Sequence, residues 1–78
     1  MNKILLVDDD RELTSLLQEL LDLEGFSVVV AHDGEQALEL LDSSIDLLLL
    51  DVMMPKKNGI DTLKEVRQHH QTPVIMLT

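Results

Sequence analysis

The stretch Ile45-Asp46-Leu47-Leu48-Leu49-Leu50-Asp51 decides how this chain folds. Its apolar run from Ile45 to Leu50 reads as a strand buried on both faces, the habit of parallel sheets whose crossover helices cover both sides. Asp51 ends it, and Val52-Met53-Met54-Pro55-Lys56-Lys57-Asn58-Gly59 follows as a loop. An earlier strand, Lys3-Ile4-Leu5-Leu6-Val7, also ends in acids, Asp8 and Asp9. If the two strands are neighbours, the carboxylates of Asp8, Asp9 and Asp51 converge at one edge of the sheet. At an effective dielectric of about 20, two carboxylates roughly 4 Å apart repel by about 4 kcal/mol. They must share a proton, stay hydrated or recruit a hard divalent cation, and Mg²⁺ with several retained waters suits oxygen ligands of this kind.

Outward from these strands the chain alternates apolar runs with helical patterns. Leu13, Leu16, Leu17, Leu20 and Leu21 recur at helical spacing until Gly25, a plausible stop. Phe26 to Ala31 reads as the second strand. Asp33-Gly34-Glu35-Gln36 has the form of a capping box, with Asp33 as N-cap and Gln36 reaching back, ahead of Ala37, Leu38, Leu40 and Leu41. A third helix is expected from about Ile60 to His69 with Asn58 as N-cap, and Val74 to Thr78 reads as a fourth strand after the break at Thr72-Pro73. No repeat, linker or low-complexity tract is visible. Strands alternating with helices imply right-handed crossovers and a doubly wound α/β fold with a parallel sheet. In the flavodoxin-like order 2-1-3-4 the winding reverses between the first and third strands, and ligands bind beyond the carboxyl ends at that reversal. Asp8, Asp9 and Asp51 fall there.

Composition narrows the class. The 78 residues suffice for one domain, which at this size buries a modest share of its surface. There is no cysteine, so neither disulfides nor thiolate metal sites support it. A net charge of −9 argues against direct nucleic-acid or membrane binding by this segment, since both need clustered Lys or Arg. The chain opens into a strand and no apolar run reaches membrane-spanning length, so a soluble cytoplasmic protein is expected.

The acid pair after the first strand, the acid ending the third, Met54-Pro55 followed by Gly59, and Thr78 ending the fourth strand together resemble the receiver domain of bacterial two-component response regulators. More narrowly, the opening through Asp10 and the stretch Asp51 to Lys64 resemble an envelope-stress regulator of the OmpR class. The resemblance implies that Asp51 is the phosphoryl acceptor, taking the group from the phosphohistidine of a sensor histidine kinase. It implies that Asp9 binds Mg²⁺ directly, Asp8 mainly through water, and Met53 through its backbone carbonyl. Backbone amides near Val52 and Met53 would face the phosphoryl oxygens, and the Thr78 hydroxyl would hydrogen-bond one of them. Receivers are signalling modules that assist their own phosphotransfer rather than enzymes. In the parent protein a following domain would bind DNA and control transcription, with a homodimer forming on phosphorylation. The family also carries a Lys after a fifth strand, and residues 1–78 stop before it, so they correspond to an N-terminal, incomplete portion of a receiver that lacks the fifth strand and last two helices. Lys56 and Lys57 lie in the wrong loop to replace that Lys.

Each residue also has a plainer reading. Asp9 or Asp10 could simply cap the first helix, which contributes roughly 0.5–2 kcal/mol. Asp51 could be a turn residue and Thr78 an ordinary strand end. Met53 and Met54 read as packing residues apart from the Met53 carbonyl, His69 and His70 as a solvated helix end, His32 as a loop residue, and Asn58 with Gly59 as the turn into the third helix. Capping, however, needs one acid per helix and leaves acids at both strand ends unexplained. Other functions fit less well. Phosphate-transfer enzymes of the haloacid-dehalogenase kind place a second acid two residues after the nucleophile, where this chain has Met53. A flavin binder would need a Ser/Thr/Gly-rich loop after the first strand, where acids would repel its phosphate. A phosphorylation-incompetent interaction module on the same fold is the main alternative.

Overall fold

The computed structural model describes residues 2–54 and 57–77. In chain order these form β1 (Lys3–Val7), α1 (Arg11–Leu23), β2 (Ser27–Ala31), α2 (Gly34–Leu40), β3 (Leu47–Asp51), α3 (Gly59–His69) and β4 (Val74–Leu77). All pairings are parallel and the strand order is β2-β1-β3-β4, as the alternation of elements predicts. The start of the third strand differs from the sequence reading. β3 begins at Leu47 rather than Ile45, because Asp46 N–H donates to Lys3 O while Ile45 N–H closes a turn on Asp42 O. Asp51 is thereby the last residue of the strand and pairs in register with Leu77.

The strand period of two divides the central side chains between two layers. Leu5, Val7, Leu48 and Leu50 are completely buried and form the main core with Ala31, Ala37, Leu41, Ile45, Met54 and Val66. Complete burial of each such leucine contributes about 2 kcal/mol. On the opposite face Ile4 and Leu6 are buried, but the outer part of that face is open: Ile75 on the edge strand β4 is 51% exposed. The helical stripe on α1 is likewise only partly covered. Leu17 and Leu21 are half-buried, whereas Leu13, Leu16 and Leu20 face outward, so the periodicity located the helix but overstated how much of its apolar side is roofed.

All three helices start on the cap residues that the sequence supplies, each contributing about 1 kcal/mol. Asp10 Oδ1 accepts Leu13 N–H, Asp33 Oδ1 accepts Gln36 N–H and Asn58 Oδ1 accepts Asp61 N–H. The reciprocal arm of the predicted capping box lands one residue early: Gln36 Oε1 accepts the N–H of His32, not of Asp33. At the far end of α1, Gly25 has φ of 92°, a left-handed conformation that lets the chain leave the helix toward β2. No described helix is long and apolar enough to cross a membrane.

Candidate functional site

β1 and β3 are hydrogen-bonded neighbours, and Val7 pairs with Leu50 at the last rung of their ladder. The residues that follow, Asp8 with Asp9 on one strand and Asp51 on the other, therefore emerge together at the carboxyl edge. One carboxylate oxygen from each of these three lies within 4.8 Å of the others. Their surroundings differ: Asp8 is 6% exposed, Asp51 is half-buried and Asp9 is open to solvent. Asp10, the third acid of the run, is spent as the cap of α1. One acid is thus structural, and three remain that capping leaves unexplained.

Burial pushes the Asp8 carboxyl above the ordinary aspartate range, and the neighbouring charges of Asp51 and Asp9 push it further. The hydrogen bond that Asp8 Oδ1 accepts from Asp10 N–H, at 3.0 Å, pulls the other way and does not offset them. Among the described residues the one salt bridge joins Lys57 to Glu65, not to any of the three acids. Lys57 is engaged by Glu65, and Lys56 lies outside the described residues. An acid cluster with no salt-bridge partner among the described residues, made wholly of hard oxygen donors, fits a hard divalent ion such as Mg²⁺.

The loop after Asp51 is shaped by two backbone contacts. Val52 N–H donates to Leu77 O at 3.0 Å, extending the β3–β4 ladder, so this amide is committed to the sheet and not free to face a ligand. Met53 N–H instead points back at Asp51 Oδ1, at 3.3 Å. Gly59 N–H then donates to Val52 O at 2.9 Å, drawing the first turn of α3 against the end of β3. A Cβ at Gly59 would come within 2.8 Å of Val52 Cα and collide with the Asp51 backbone, so glycine serves close approach here as well as the turn read from sequence. The two methionines separate: Met54 enters the core, while the Met53 side chain is 77% exposed and packs little, contrary to the sequence expectation. Pro55 and Thr78 lie outside the described residues, so the phosphoryl hydrogen bond expected of Thr78 is carried by the sequence alone.

The sequence alone marks His32 as a loop residue, yet it sits at this edge. Its Nδ1 lies 3.1 Å from Asp8 O. The available signal was topological: His32 follows β2, β2 neighbours β1, and so the residue after each strand shares one edge.

A family model of the response regulator receiver domain matches residues 4–78, all but the first residues of the chain. The chain belongs to the response regulator receiver family. Among curated receiver-containing proteins it is 88% identical over all 78 residues to the transcriptional regulatory protein CpxR of Klebsiella pneumoniae, and it spans 34% of that protein's length. Among solved receivers it superposes with a TM-score of 0.92 on the response regulator TrrA of Thermotoga maritima in complex with Mg²⁺ and BeF, at 36% identity, covering 100% of this chain and 70% of that one. TrrA in complex with the histidine kinase ThkA matches with a TM-score of 0.90, again at 36% identity, over 100% of this chain and 69% of the other. The sheet order and the three helices of the present chain are those of a receiver fold.

Proposed function

We propose that residues 1–78 are the N-terminal, phosphoacceptor portion of a receiver in a CpxR-like transcriptional regulator. Asp51 accepts a phosphoryl group from the phosphohistidine of a sensor histidine kinase: a carboxylate oxygen attacks phosphorus, the P–N bond breaks, and an acyl phosphate and free imidazole result. Asp8, Asp9, Asp51 and the backbone carbonyl of Met53 hold Mg²⁺, whose charge, when bound, offsets that of the acids and of the phosphoryl oxygens. Met53 N–H, aimed at the Asp51 carboxylate, is the backbone donor nearest the incoming group, and the Thr78 hydroxyl supplies a further hydrogen bond. The observation that carries this reading is the convergence of Asp8, Asp9 and Asp51 at the carboxyl edge, on the strands where the winding reverses. TrrA, with its Mg²⁺–BeF complex and its kinase complex, supports the metal and the partner by similarity. Similarity to the transcriptional regulatory protein CpxR supports a role in transcriptional regulation; the cytoplasmic setting, the envelope-stress response, a following DNA-binding domain and a homodimer on phosphorylation are proposed from the resemblance of the sequence to that class of regulator.

Intact mass after treatment with acetyl phosphate tests the chemistry. One phosphoryl adduct is expected, Mg²⁺-dependent and absent from Asp51→Asn, accumulating slowly on the 78-residue chain. Labelling that survives Asp51→Asn or ignores Mg²⁺ would overturn the assignment.

A further inference from the structure

We infer that His32 is a positioning residue for the acid cluster, setting the relative direction of Asp8 and Asp9 through its Nδ1 atom. The inference rests on the metal-site reading and deepens it. Both acids hang from the turn that leaves β1, past the last ladder pair, Val7 with Ala31, so the sheet no longer dictates their backbone. Asp8 N–H is still held by Ala31 O at 3.1 Å. Its carbonyl has passed beyond the ladder, and among the described residues its hydrogen-bond partner is the His32 ring, 3.1 Å away.

A carbonyl oxygen can only accept, so the contact requires a proton on Nδ1, which for a neutral ring means the Nδ1–H tautomer. The Asp8–Asp9 peptide is planar, so anchoring Asp8 O also anchors Asp9 N and Cα and restricts the torsions that aim the two carboxylates. His32 is itself held from both sides. Its N–H donates to Gln36 Oε1 at 2.8 Å, and Gln36 N–H donates to Asp33 Oδ1 at 2.8 Å at the start of α2. A chain of contacts thus runs from the α2 cap through an imidazole to the backbone joining two candidate ligands. Groups that orient ligands in this way affect metal affinity about as strongly as weak ligands do, typically 10–100-fold.

The test separates the two ring nitrogens. Asn places an amide N–H where His Nδ1 lies, whereas Gln places one nearer the Nε2 position. Mg²⁺ affinity is measured by calorimetry for the parent chain, His32→Leu, His32→Gln and His32→Asn, with metal-free melting temperatures beside them. ¹⁵N spectra of the parent imidazole report the tautomer. Expected are an Nδ1–H tautomer, affinity weakened on the order of tenfold in His32→Leu and His32→Gln, and affinity restored in His32→Asn at similar melting temperature. If the parent binds Mg²⁺ and all three variants match it, the inference falls and the site stands. Equal losses in His32→Asn and His32→Leu, or an Nε2–H tautomer, overturn it as well. A parent chain that binds no Mg²⁺ overturns the site reading and this inference together.

Discussion

The two ends of the sheet hold the same residue type in opposite circumstances. At the amino end, Asp46 Oδ2 accepts Lys3 N–H at 2.8 Å, and Asp42 accepts both the N–H and the hydroxyl of Ser44. The Ser44 hydrogen bonds hold the Asp42 carboxyl below its ordinary range. At the carboxyl end, burial and the charges of Asp51 and Asp9 push Asp8 the other way. The amino-end acids find their donors within the protein and help close the fold. The carboxyl-end acids repel one another, and among the described residues no salt bridge engages them. Such a cluster costs stability in isolation, and a bound cation would offset that cost.

The largest break in this contrast is expected from Gly59→Ala. An alanine should otherwise suit a helix by up to about 1 kcal/mol over glycine, but its Cβ would press on the Asp51–Val52 backbone. A net loss of about 2–3 kcal/mol is expected in urea unfolding, with the response to Mg²⁺ weakened as the end of β3 shifts. Unchanged stability would show that α3 does not brace this end. Asp51→Asn comes next and acts in the opposite direction. Removing one charge from the cluster should raise metal-free stability by about 1 kcal/mol, the screened share of the repulsion at a half-buried position. Thermal melts without Mg²⁺ check it, and a variant less stable than the parent would count against a crowded site.

Why this cluster was legible in sequence, and His32 was not, follows from the physics of each. Acids at strand ends are read from two local patterns, the Ile4–Val7 and Ile45–Leu50 runs, and one topological rule joins them. The caps Asp33 and Asn58 are local too. His32 depends on where a ring lands relative to a strand distant in sequence, and a single histidine after a strand carries no local signature of that. The start of β3 was missed because Asp46 looks like part of an apolar run, while its side chain and its amide are both turned to Lys3. The exposure of Leu13, Leu16 and Leu20 is likewise set by what lies over them, which periodicity does not report.

Acidity separates the two ends with smaller effects. For Asp8, whose folded value is raised, the stabilising contribution is complete below the ordinary value of 3.8 and is lost as pH rises through the raised value. For Asp42, whose folded value is lowered, the contribution is present above 3.8 and is lost as pH falls through the lowered value. Urea midpoints against pH without metal should therefore lose their slope above pH 3.8 in Asp8→Asn and their slope below it in Asp42→Asn, each leaving the other window intact. The smallest effect is expected from Ser44→Ala, a slight loss of stability at neutral pH with no change in Mg²⁺ response. A metal response altered by Ser44→Ala would mean that the two ends are coupled.

The most direct measurement is a calorimetric Mg²⁺ titration of the parent chain beside Asp9→Asn, Asp51→Asn and, from the opposite end, Asp46→Asn. If the carboxyl end is a cation site, the parent binds a single Mg²⁺, Asp9→Asn and Asp51→Asn lose affinity on the order of tenfold or more, and Asp46→Asn binds as the parent does. Absence of binding by the parent, or an equal loss in Asp46→Asn, would contradict it.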